Sequence, residues 1–300
     1  MHVFVTGATG LIGKAITKDL INAGHTVLGL ARSDNSANEL VALGAAVLRG
    51  SLQDLDILKE GAASSDGAIH VAFAHDHGDF FESCNTDQRA VQAMADGLAG
   101  SDRPLVVTSV TTLLPHGRLV TEDDSCFPTS PIFAARGQCE TLAKKLASNG
   151  SRAIIMRLPP TNHGDGDHVF VARLIALARA KGVSVYLNDG QNRWPAVHYL
   201  DSAVAYRLAL ENGTAGSTFH AVAEQGVKMK DIAEVIGAKL GVPVVSKPSG
   251  EAEDHFGPFL GQVVTVDNPT SSFKTREALG WNPQQCGLLS DLENGAYFSS

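Results

Sequence analysis

The chain is poor in cysteine, in aromatic residues and in basic charge, and each shortage argues against a class of function. Its four cysteines (Cys84, Cys126, Cys139, Cys286) stand far apart in 300 residues and form no Cys-x-x-Cys pair. Reduced thiols in a cytoplasmic protein are therefore expected. The formal net charge of -8 argues against nonspecific nucleic-acid binding and against docking on anionic membranes. No apolar run reaches the ~20 residues of a spanning helix. A strand pattern already begins at His2, so neither a signal peptide nor a transit peptide is expected. Repeats, low-complexity segments and charge runs are also lacking. His75-Asp76-His77 and the group His163, Asp165, Asp167, His168 have metal-ligand composition. Both sit on short polar loops with no completing Cys or Glu, so no metal is expected.

What is present is concentrated at the start. MHVFVTGATGLIG runs from a β-branched and aromatic stretch into Gly7, Gly10 and Gly13, with an amphipathic segment directly after. That order suits a dinucleotide pyrophosphate. Gly7 allows the tight turn, Gly10 has no Cβ to hold phosphates away, and Gly13 lets the next helix approach the strand. The first half then alternates strand-like stretches (2–6, 25–31, 45–50, 67–74, 105–109, 152–158) with helical ones (11–23, 36–43, 54–61, 85–99, 131–147). Strands that are apolar along their whole length suggest an α/β fold with a doubly wound parallel sheet buried on both faces.

After Pro159-Pro160 the regularity loosens. Helices are expected at 169–180, 202–211 and 229–240, and an extended stretch at 183–187. Residues 188–201 read as a loop, and 217–222 as a return to the sheet. The expected division is a dinucleotide-binding part at 1–158, rejoined by 196–225. A smaller C-terminal substrate lobe comprises 159–195 and 226–300.

These pieces together resemble the extended short-chain dehydrogenase/reductases of the NAD(P)-dependent epimerase/dehydratase-like group, and the resemblance covers nearly all of the chain. It rests on TGATGLIG at 6–13, RGSLQDLDIL at 49–58, IHVAFA at 69–74 and Asn85 opening the next helix. VVTS at 106–109, RLPPTNHGDGD at 157–167, GQNRWPAVHYLDSAVAYRLAL at 190–210 and LGWNP at 279–283 add to it. It implies a Rossmann fold with a substrate lobe, and cofactor contacts from Gly7, Thr9, Gly10, Leu11, Ile12, Gly13, Ser51, Leu52, Ala72, Phe73, Ala74 and Pro159. It further implies substrate contacts from His163, Asn192, Arg193, Trp194 and His198, with core packing as the other reading of Trp194. A homodimer through the helices at 85–99 and 131–147 is implied as well.

Where an acidic side chain would bond the adenosine ribose of NAD, the chain has Ala31, followed by Arg32 and Ser33. A guanidinium there can bind a 2′-phosphate, so NADP is favoured over NAD. The catalytic pattern departs from the resemblance. A Tyr-x-x-x-Lys pair is usual on the helix after the fifth strand, and alignment on Glu140 puts Ile132 at the tyrosine and Arg136 at the lysine. Isoleucine cannot pass a proton. No other register restores the pair, since the tyrosines are Tyr186, Tyr199, Tyr206 and Tyr297.

Ser109 and Thr111 remain as hydroxyls for a substrate oxygen, with a strand-end cap as the alternative for Ser109. Arg136 either reaches the nicotinamide ribose or pairs with Glu140 one helical turn on. His75 and His163 are candidate proton donors, each with a plain loop histidine as the alternative. The expected function is NADP(H)-dependent hydride transfer to or from a carbonyl or alcohol of a small organic molecule. A catalytically silent NADP(H)-binding sensor is the alternative. A nucleotide-sugar epimerase or dehydratase ranks below both, for want of an acid/base.

Overall fold

The first strand alternates Val3 and Val5 toward one face with Phe4 toward the other, and all three are fully buried. A strand patterned this way needs a covered sheet on both sides. The computed structural model, which describes residues 1–73, 79–127 and 130–298, supplies both covers. Its strands are β1 (His2–Thr6), β2 (Thr26–Ala31), β3 (Ala46–Arg49), β4 (Gly67–His70), β5 (Pro104–Val110) and β6 (Arg152–Leu158). They continue with β7 (Thr161–His163), β8 (Ser184–Leu187), β9 (Arg193–His198), β10 (Thr218–His220), β11 (Glu224–Lys228) and β12 (Val244–Lys247).

Seven of them form one all-parallel sheet in the order β10-β6-β5-β4-β1-β2-β3. The order reverses between β1 and β4, which opens a crevice at their carboxyl ends. Helices α1 (Leu11–Asn22) and α2 (Asp34–Ala42) lie on the face of Val3 and Val5. Helices α3 (Leu55–Ala63), α4 (Phe80–Leu98) and α5 (Pro131–Ser148) lie on the face of Phe4. The lobe contains α6 (Phe170–Lys181), then α7 (Tyr199–Asn212) returns beside α1, and α8 (Met229–Leu240) packs on β8. A second core, with Leu174, Trp194, Ile232 and Leu288, holds the lobe together.

The structure redraws several elements. β4 stops at His70, not at 74, because its partner β1 ends at Thr6, where the glycine turn leaves the sheet. α4 begins at Phe80, five residues before the expected 85, because the Asp79 side chain caps the amides of Phe81 and Glu82. The stretch 188–201 is not a loop. It contains β9 and the start of α7, and β9 sits between β11 and β7 with nearly every side chain buried, so no alternation betrays it. Its register with β11 shifts beside Pro195, which has no N–H to give to the ladder.

Candidate functional site

The glycine turn is built by close approach. Gly7 has φ +70°, and a Cβ there would lie 2.7 Å from the Ala72 amide nitrogen beyond β4. A Cβ on Gly13 would lie 1.9 Å from the Gly7 carbonyl oxygen. Gly10 differs: it is exposed, and its Cβ would meet only the Gly7 oxygen, at 3.4 Å. α1 starts on Gly10 with no side-chain cap and no acidic residue in its first turn. Its first amides therefore face an open, positively polarised cradle, which fits an anionic pyrophosphate. Thr9, Leu11 and Ile12 border this cradle, half-buried. Leu11 also nears the 164–167 loop, its Cδ1 standing 3.5 Å from where a Gly166 Cβ would be.

At the end of β2, Ala31 is buried and Arg32 exposed. Ser33 caps α2 by accepting from the Ser36 amide. Asp34 pairs with Arg49. The Ser51 hydroxyl, expected at the adenine, donates to Asp54 Oδ2 at 2.7 Å, and Leu52 packs toward the α3–α4 core. Pro159 is buried, and its carbonyl accepts from Asn162. Ala74 and His75 lie outside the described residues.

Two buried polar chains run beneath the site, and neither is the arrangement expected from the sequence. Ser109 donates to Glu140 Oε2 at 2.7 Å. Glu140 takes Nη2 and Nε of Arg157 at 2.6 and 3.0 Å and Lys144 at 2.9 Å, while Arg157 Nη1 bonds His220 Nε2. Burial would raise the Glu140 pKa, but the hydrogen bonds and charge of Arg157 hold it at about 2. Arg136 does not pair with Glu140. Its Nη1 reaches Asp87 Oδ2 on α4 at 2.8 Å, its Nη2 donates to the Thr108 carbonyl, and its guanidinium covers the Phe73 ring at 4.8 Å. Asp87 Oδ1 accepts from His70 Nε2 at 2.9 Å, and His70 Nδ1 meets Thr6 Oγ1 at 2.8 Å. Against burial, the charge of Arg136 and the hydrogen bond from His70 lower the Asp87 pKa.

Around the position of the expected tyrosine the surface is apolar. Ile132, Val110 and Cys126 pack on Leu113, Phe133 and Val266. Burial raises the Cys126 thiol to about 12, so it supplies no thiolate at neutral pH. Thr111 is fully buried, and its hydroxyl has no partner among the described residues.

In the lobe, His163 Nδ1 meets Asp291 Oδ2 at 2.8 Å, its Nε2 has no partner among the described residues, and its ring abuts that of His198. Asn192 donates to the carbonyls of Val264 and Val266, and Arg193 pairs with Asp267. Trp194 is fully buried against Phe170, and its indole N–H has no partner among the described residues. A row of aromatic contacts continues from Phe170 through Phe259 and Phe80 to Phe73, linking lobe and sheet across the crevice. The sequence reading missed Asp87, His70, Arg157 and Asp291. Asp87 was findable: it falls in the apolar seam of α4 with Val91, Met94 and Leu98, where a carboxylate must have partners.

Residues 3–222 match the model of the NAD dependent epimerase/dehydratase family. The chain belongs to that family. Among its relatives, the Schizosaccharomyces pombe "Uncharacterized protein C2A9.02" is 50% identical over 99% of this chain and 100% of its own length. The Saccharomyces cerevisiae "Uncharacterized protein YLL056C" is 47% identical over 97% and 98%. A Stigmatella aurantiaca 4-hydroxy-2-methyl-3-oxo-4-farnesyl-3,4-dihydroquinoline-1-oxide ketoreductase is 26% identical over 87% of this chain and 80% of its own.

Among solved structures, gox2253 superposes with TM-score 0.80 at 18% identity, covering 99% of this chain and 97% of its own. The dTDP-glucose 4,6-dehydratase DesIV of Streptomyces venezuelae, solved with NAD bound, gives 0.77 at 19%, covering 99% and 96%. The epimerase/dehydratase family fold thus extends over this whole chain. No helix among the described residues is long and apolar enough to cross a membrane.

Proposed function

We propose that this family member is an NADP(H)-dependent oxidoreductase that reduces a carbonyl, or oxidises an alcohol, of a small organic molecule. The observation that carries the reading is the uncapped, open cradle at Gly10, followed at the end of β2 by Ala31 and Arg32 in place of a carboxylate. The first amides of α1 would hold the pyrophosphate, and Arg32 with Ser33 the 2′-phosphate. Arg136, at the family's lysine position, would bind the nicotinamide ribose through donors that Asp87 and Thr108 leave over. When bound, the reduced cofactor supplies the hydride. Ile132 can give no proton, so the proton reaching the substrate oxygen comes from solvent in this reading. The ketoreductase relative supports a carbonyl substrate.

A second reading, a binding protein without turnover, draws support from the apolar packing of Ile132. Calorimetric titration with NADPH and NADH, followed by a carbonyl panel monitored as NADPH oxidation, separates the two. Tighter binding of NADH would remove the NADP assignment. Tight NADPH binding with no oxidation across the panel would favour the silent binder.

A further inference from the structure

We propose that Asp87 is a positioning residue for Arg136, setting the guanidinium at the nicotinamide end of the cofactor; this rests on the dinucleotide reading above. An ammonium acts as a point charge, whereas a guanidinium is useful only when its plane is oriented. Asp87 provides that orientation from α4. Its side chain is 2% exposed, and both oxygens are engaged, Oδ2 by Arg136 Nη1 at 2.8 Å and Oδ1 by His70 Nε2 at 2.9 Å. The Thr108 carbonyl and the Phe73 ring hold the guanidinium on two further sides. His70 carries the chain on to Thr6, the residue before the glycine turn, at 2.8 Å. One hydrogen-bonded line thus joins the element that would hold the nicotinamide ribose to the turn that would hold the pyrophosphate, and it passes through Asp87.

The test is a double-substitution cycle on the full chain: wild type, Asp87→Asn, Arg136→Gln and both together. The dissociation constant for NADPH comes from calorimetry, the nicotinamide environment from the emission of bound NADPH, and stability from melting in parallel. Each single substitution should weaken NADPH about tenfold and shift the emission of the bound cofactor, with the double variant no weaker than the poorer single. A variant Asp87→Asn that melts lower yet binds NADPH with unchanged affinity and emission would make Asp87 a structural strut and overturn the proposal. Single effects that multiply to about a hundredfold in the double variant would do so too. If Asp87→Asn does not fold, His70→Gln takes its place in the cycle. It should weaken NADPH a few-fold without adding to Arg136→Gln, and unchanged affinity would again overturn the proposal. A wild-type chain that binds neither NADPH nor NADH would sink the cofactor reading itself, an outcome distinct from the others.

Discussion

The Glu140 carboxylate takes two hydrogen bonds from the Arg157 guanidinium, at 2.6 and 3.0 Å, where neither side chain is more than 1% exposed. Removing one partner leaves the other buried and charged. Glu140→Gln is therefore expected to cost about 3–5 kcal/mol of stability, measured as a shift in the denaturant midpoint. Ser109→Ala removes only one of the bonds to that carboxylate and should cost about 1 kcal/mol.

The same chain makes the protein acid-sensitive in two steps. Burial, and then the charge of Arg157, lower the His220 pKa to about 4 from an ordinary 6.5. Below pH 6.5 the unfolded chain binds this proton and the folded one does not, so stability falls from pH 6.5 down to about 4. Glu140, at about 2 from an ordinary 4.5, extends the loss between pH 4.5 and 2. Each step amounts to roughly 3 kcal/mol. His220→Gln should flatten the upper step and leave the lower one, as read from melting temperature against pH.

Gly13→Ala and Gly10→Ala should separate folding from binding. The first pushes a methyl group to within 1.9 Å of the Gly7 oxygen and should cost about 2–3 kcal/mol or more, with cofactor binding lost. The second meets nothing closer than 3.4 Å and should melt near the wild type while weakening NADPH at least about tenfold. Melting and calorimetry on the same preparations decide it.

Arg32→Ala should weaken NADPH about ten- to a hundredfold and leave NADH within about twofold, as expected for loss of charge-assisted bonds to a phosphate. Ala31→Asp should turn the preference toward NADH by placing a carboxylate at the ribose hydroxyls.

What could be read in the sequence was local. The glycine turn, the strand starting at His2 and the helix Met229–Leu240 are each specified by neighbouring residues, and they appear in the structure at those positions. What could not be read was set from a distance. The length of β4 depends on where β1 ends. The partner of Arg136 looked like Glu140, four residues on, but helix packing delivers Asp87, 49 residues earlier. Ser109 read as a hydroxyl for a substrate oxygen or as a strand-end cap, and it donates instead to Glu140, 31 residues later. Strand β9 escaped notice because burial on both faces erases the alternation by which a strand is recognised.

The seventh strand of the sheet is β10, and Trp281 shares a buried cluster with Val3 and Val5 while its indole N–H donates to the Asp201 carbonyl. Val3 and Val5 therefore wait for Trp281, far along the chain, before their core is closed. During synthesis most of the glycine-turn half would be present but unsealed, with apolar surface exposed. A truncation before residue 281 would remove part of the core beneath the glycine turn itself, though the cut lies far along the chain from Gly7.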